Sequence, residues 1–225
     1  MTPLGWALLG VAAVAAVVDW WAVWAETPWA RRVERVAKPA TLVALIAVAL
    51  VTPATTPSVR FPLLVALVAG LCGDVLLLPP GRLVPGLVAF LVGHIAYGVA
   101  FLSLPGTIAW LLLGIAIAAL VGATVGLRLV RAARSSGLHF PVGAYLLVIS
   151  LMAVVATRTG ILAAIVGAWL FVASDSMLGW AEFVAGASAD GRSRGGARLR
   201  LGVITTYHAA QVLLVLALLL GAPAG

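Results

Sequence analysis

Apolar residues dominate the chain, and the sparse polar ones gather in short clusters that divide it into eight stretches. These are Pro3–Trp24, Pro39–Thr52, Phe61–Leu78, Leu83–Leu104, Gly106–Val130, Pro141–Ala156, Gly160–Val184 and Leu199–Leu220. A helix needs about 20 apolar residues to cross the hydrocarbon of a bilayer, and most of these stretches are long enough. The second is short, and runs of about 10–14 residues are often buried or re-entrant. Glu26–Lys38 reads as a basic linker, and Gly186–Gly196, rich in Gly, Ser, Ala and Arg, as a flexible loop. The first stretch has no Lys or Arg before it and runs past twenty residues, which predicts a retained helix and not a cleaved signal.

Charge decides whether the second stretch spans. If all eight do, Arg31, Arg32, Arg35, Lys38, Arg82, Arg128, Arg131, Arg134, Arg192, Arg194, Arg198 and Arg200 share one side, and Arg60 and Arg158 the other. That is twelve of the 14 basic residues against two, a strong positive-inside bias; without the second span it falls to six against eight. The expectation is therefore an all-α polytopic membrane protein, a single domain over residues 1–225 with eight transmembrane helices and both termini extracytoplasmic. Composition agrees, with 64% hydrophobic and 9% charged residues. The net charge of +7 lies in short loops, where it sets orientation and meets anionic lipid, so nucleic acid is not an expected partner. The single Cys72 rules out a disulfide framework within the chain and a Cys-based metal site.

Against this background, ionisable residues inside spans stand out, because each costs a few kcal/mol in hydrocarbon, roughly 2.5–3.5 on insertion scales. Asp74 lies in Gly73–Leu78 with no cation near it in sequence, and Asp175 lies in Ser174–Leu178. The topology puts both in the cytoplasmic half, His94 and His208 near mid-membrane, and Lys38 at the cytoplasmic rim. Helical spacing groups Tyr97 with His94, and Gln211 with His208, while Tyr207 adjoins His208 and Ser174 and Ser176 flank Asp175. Asp19, beside Trp20 and Trp21, reads as snorkelling at the headgroup level. A faint echo relates Gly73–Leu77 and His94–Tyr97 to Ser174–Leu178 and His208–Gln211. It predicts two parallel four-helix repeats that bring Asp74 and Asp175 together.

Two carboxylates facing each other at low dielectric cannot both ionise cheaply, so the pair supplies one acid and one base. Glycosidases use that arrangement against an oxocarbenium-like centre. The alternative is that each Asp is a structural group bonded to Ser, Tyr or His on a neighbouring helix. A metal held by His94, His208, Asp74 and Asp175 suits those ligand types, but no HExxH-like spacing is present, so no cofactor is expected. No GxSxG motif marks a serine nucleophile. Carboxylates of this kind also serve proton-coupled transporters and lipid-handling proteins.

Lys38–Thr41, Gly73–Leu77, Phe90–Tyr97, Ser174–Ser176 and Tyr207–Gln211, in that order, resemble the signature of the YhhN-type lysoplasmalogenase family of eight-helix membrane proteins. The resemblance implies hydrolysis of the vinyl ether bond of a lysophospholipid to a fatty aldehyde and a glycerophospho-alcohol. It implies catalytic roles for Asp74 and Asp175, with Lys38, His94, Tyr97, Tyr207 and His208 lining the site, and Ser174 and Gln211 beside them. The substrate tail would lie among the helices and its phosphate near Lys38, in a bacterial inner membrane.

Overall fold

A computed structural model describes residues 1–52, 56–79, 81–185 and 194–221, the side chains of 194 and 195 excepted. Among them are eight helical segments: α1 Pro3–Ala25, α2 Pro28–Val51, α3 Pro57–Leu77, α4 Leu83–Leu102, α5 Ile108–Ala132, α6 His139–Arg158, α7 Leu162–Phe183 and α8 Arg194–Leu220. All but α2 are long and apolar enough to cross a membrane, and the chain is an integral membrane protein. Most of the loop expected at Gly186–Gly196 lies outside the described residues.

The largest departure from the sequence reading is α2, which does not begin at Pro39. The segment taken for a linker is its first half, and the reason is local. Thr27 caps the helix, its hydroxyl accepting from the Ala30 N–H at 3.1 Å, and Pro28 follows at the first helical position, where its missing N–H costs nothing. Thr2–Pro3 opens α1 the same way, the Thr2 hydroxyl accepting from the Gly5 N–H at 3.0 Å, whereas Thr56–Pro57 opens α3 with the proline but without a hydroxyl cap. Glu26, left-handed at φ 52°, ends α1, so only two residues separate the helices, and α2 doubles back along α1. Pro39 sits inside α2, where it forfeits a backbone hydrogen bond at a cost of about 3 kcal/mol, which packing along α1 offsets.

Seven helices close a ring in the order α1, α2, α3, α4, α6, α7, α8, with α8 returning to α1. Their inward faces form one apolar core, including Leu42, Leu45, Leu63, Leu67, Phe171 and Leu214. α5 stands outside, packed chiefly on α6; over Ile108–Val121 only Gly114 is buried. A Cβ there would come within 3.1 Å of Thr157 and 3.2 Å of Val154, so this glycine sets how close α5 lies. Directly after Val121, α5 takes a π turn over Gly122–Gly126.

Candidate functional site

Every polar side chain singled out in the spans except Asp19, Ser174 and Ser176 contributes to hydrogen-bonded networks within the ring, and each network joins helices from different parts of it. Asp74 of α3 is fully buried. Its Oδ1 lies 3.3 Å from the Lys38 ammonium of α2, and its Oδ2 accepts from the Tyr207 hydroxyl of α8 at 2.9 Å. The carboxylate without a cation nearby in sequence thus has one in space. Lys38, expected at the rim to meet a phosphate, is turned inward on Asp74 and is 16% exposed.

Asp175 of α7 has different partners. Its Oδ2 accepts from the Tyr145 hydroxyl of α6 and lies 3.2 Å from His94 Nε2 of α4, which is itself 2.9 Å from the Tyr145 oxygen. Carboxylate, imidazole and phenol therefore form a triangle through which a proton can pass. Asp74 and Asp175 share no hydrogen-bond or ion-pair partner among the described residues. Between their partners stands Phe171, with ring centroids 4.6 Å from His94 and 5.4 Å from Tyr207, both edge-on.

Tyr97 and Gln211 tie the upper part together: the Tyr97 hydroxyl donates to Gln211 Oε1 at 2.5 Å, and the Gln211 amide donates to the Tyr207 oxygen at 3.3 Å. His94 and Tyr97 share a helix face but serve different networks. So do Gln211 and His208; the latter turns towards α1, where its Nδ1 accepts from the Trp20 indole N–H at 3.0 Å. Ser174 donates to the Val203 carbonyl at 2.9 Å and fastens α7 to α8. Asp19 does not snorkel: it is buried at 0% exposure on the inward face of α1.

Sequence reasoning passed over Tyr145, Phe171 and Trp20. A signal existed for the first: the chain has only 3 tyrosines, Tyr97, Tyr145 and Tyr207, and all three are buried with their hydroxyls bonded in these networks. Phe171 and Trp20 carry no such mark among so many apolar residues. No three His, Cys, Asp or Glu side chains converge on a metal-sized site among the described residues. An apolar groove of about 520 Å³ runs between α5, α7 and α8, lined by Trp169, Val172, Ser176, Met177 and Trp180 among others. Helical spacing sets those α7 positions on a face turned away from Asp175.

Compared with known proteins, the chain matches the model of the YhhN family over residues 33–218. No curated protein and no solved structure matches it.

Proposed function

The chain belongs to the YhhN family, which includes lysoplasmalogenase, and from that premise we propose that it is a membrane hydrolase cleaving the vinyl ether bond of lysoplasmalogen-like lysolipids. The observation that carries the reading is the Asp175–His94–Tyr145 triangle, a proton-relaying group inside the ring whose carboxylate is 10% exposed. Vinyl ether hydrolysis starts with a proton delivered to the alkene carbon, the step for which such a group is suited. The ether oxygen's electrons then form an oxocarbenium ion. Asp74, held as an anion by Lys38, supplies negative charge towards that centre. Water adds to the cation and loses a proton, and the hemiacetal breaks into a fatty aldehyde and a glycerophospho-alcohol. Neither a covalent nucleophile nor a metal is needed.

Two finer features belong to the same reading. We take α2 as an eighth span, because it runs along α1 for its length, and both termini as extracytoplasmic. Two parallel repeats gain support from the bonding: Asp74 of α3 reaches Tyr207 of α8 as Asp175 of α7 reaches His94 of α4. Exchanging the helix pairs α3–α4 and α7–α8 carries the helices of one contact onto those of the other, although His94 then falls on His208 and not on its neighbour Tyr207.

The test is direct. Purified protein in detergent should release aldehyde from a 1-alkenyl lysophospholipid, and Asp175→Asn should lower kcat by several orders of magnitude while folding normally. No aldehyde from the wild type, with proton-driven flux in proteoliposomes, would instead establish a transporter. That rival draws on the buried Lys38–Asp74 pair, a kind of group that proton-coupled carriers also use.

A further inference from the structure

We propose that Asp19 and His208 form a subsite for a single hydroxyl group, supplied by the substrate or by water; only the choice between those sources rests on the lysolipid reading. Asp19 is buried, and neither of its carboxylate oxygens has a hydrogen-bond partner among the described residues. His208, 1% exposed, has an equally unpartnered Nε2, 4.0 Å from Asp19 Oδ2. Two buried polar groups that face each other and satisfy neither would be costly unless something joins them.

Trp20 fixes what that something is. An indole N–H can only donate, so the 3.0 Å bond from Trp20 requires a bare Nδ1 on His208. The proton of the neutral ring is then on Nε2, directed at Asp19. Trp20 also stacks on the imidazole, with centroids 6.3 Å apart and planes 27° from parallel, which resists a ring flip. The subsite thus sets one donor, Nε2, opposite the acceptor Oδ2, too far apart to bond each other. An oxygen between them, at about 2.7–2.9 Å from each, subtends close to a right angle and satisfies both.

Chemistry narrows the occupant. An ammonium would satisfy Asp19 and oppose the Nε2 proton, whereas a phosphate would accept from Nε2 and be repelled by Asp19. Only a hydroxyl both accepts and donates through one atom. The charges acting on Asp19 are Lys38, Glu34, Asp74 and Arg200, and both cations are already engaged, Lys38 with Asp74 at 3.3 Å and Arg200 with Glu34 at 3.1 Å. Asp19 and Trp20 precede the segment matched by the family model, which begins at residue 33, so α1 adds the Asp19 side of this subsite from outside it, opposite His208 within it.

The test uses the full chain in nanodiscs and two saturated, non-cleavable ether lysophospholipids that differ only in the 2-hydroxyl, with a structure at a resolution that shows water. If the lipid supplies the hydroxyl, Asp19→Ala weakens binding of the hydroxyl-bearing lipid about ten-fold and leaves the deoxy lipid unchanged. If water supplies it, both lipids bind the variant as they bind the wild type. An oxygen then bridges Nε2 and Oδ2 in the wild type and is lost in Asp19→Ala. Trp20→Phe reproduces either pattern more weakly, and Asp19→Leu serves if the Ala variant fails to fold. Wild-type protein that binds neither lipid removes the lysolipid reading, and the bridging oxygen then decides the subsite alone. A direct Asp19–His208 hydrogen bond, or the absence of both the selective loss and the bridging oxygen, overturns the proposal.

Discussion

Lys38 and Asp74 illustrate how a single contact separates two roles for one residue. Removing one member of a buried ion pair strands the other, typically at about 3–5 kcal/mol, while replacing both by apolar groups is often neutral. Lys38→Met should therefore lower the melting temperature more than the double variant Lys38→Met/Asp74→Asn, in which no charge is left alone. If Asp74 also acts in the reaction, the double variant regains stability without regaining aldehyde release; recovery of both would reduce Asp74 to a structural group. Tyr145→Phe tests the other carboxylate. It deletes a hydroxyl bonded to Asp175 and near His94 without changing shape, and kcat should fall at least ten-fold with KM nearly constant. A rise in KM alone would make Tyr145 a substrate contact and remove it from the proton path.

At the level of the helix, α3 and α4 show why a few small residues matter. A Cβ on Gly73 would stand 2.7 Å from the Phe90 ring, which itself packs edge-on against Tyr207 at 5.8 Å. Gly73→Ala should thus displace Phe90, cost roughly 1–3 kcal/mol by overpacking and loosen the Tyr207 bond to Asp74, read as lower melting temperature and lower kcat together. Unchanged values for both would show that Phe90 moves freely. Hydropathy located seven of the helices to within a few residues, because their apolar runs are as long as the helices themselves. It failed at α2, where the basic residues Arg31, Arg32 and Arg35 hid a helix announced by the Thr27–Pro28 cap. Asp74 and Asp175 were legible because charge in hydrocarbon is rare. Of their partners, Lys38, His94 and Tyr207 were named from the sequence, but which Asp each one meets was not, and Tyr145 was passed over, because these contacts arise through ring closure, which no local pattern encodes. Asp19 was misplaced for a related reason, since its tryptophan neighbours look interfacial whichever way the helix turns its carboxylate.

For the whole molecule, the orientation proposed above rests on the basic residues alone. Twelve of the 14 fall on one side when eight helices span, so a reporter fused after Gly225 should be extracytoplasmic and one inserted after Val184 cytoplasmic. A cytoplasmic C-terminus would defeat that arrangement. Within it, α5 differs from every other helix in what its sequence has to specify. Ring helices must present particular side chains to particular neighbours, but α5 turns Ile108, Trp110, Leu112, Leu113, Ile115 and Leu120 outward and buries only Gly114 along its first 14 residues. Beyond the π turn Leu129 is buried with Ala133 and Val142, but over those first 14 residues the helix's address in the fold is written in one letter. Shuffling the apolar residues around Gly114 leaves that letter legible, whereas shifting the glycine by two positions erases it, although composition, length and hydropathy stay the same.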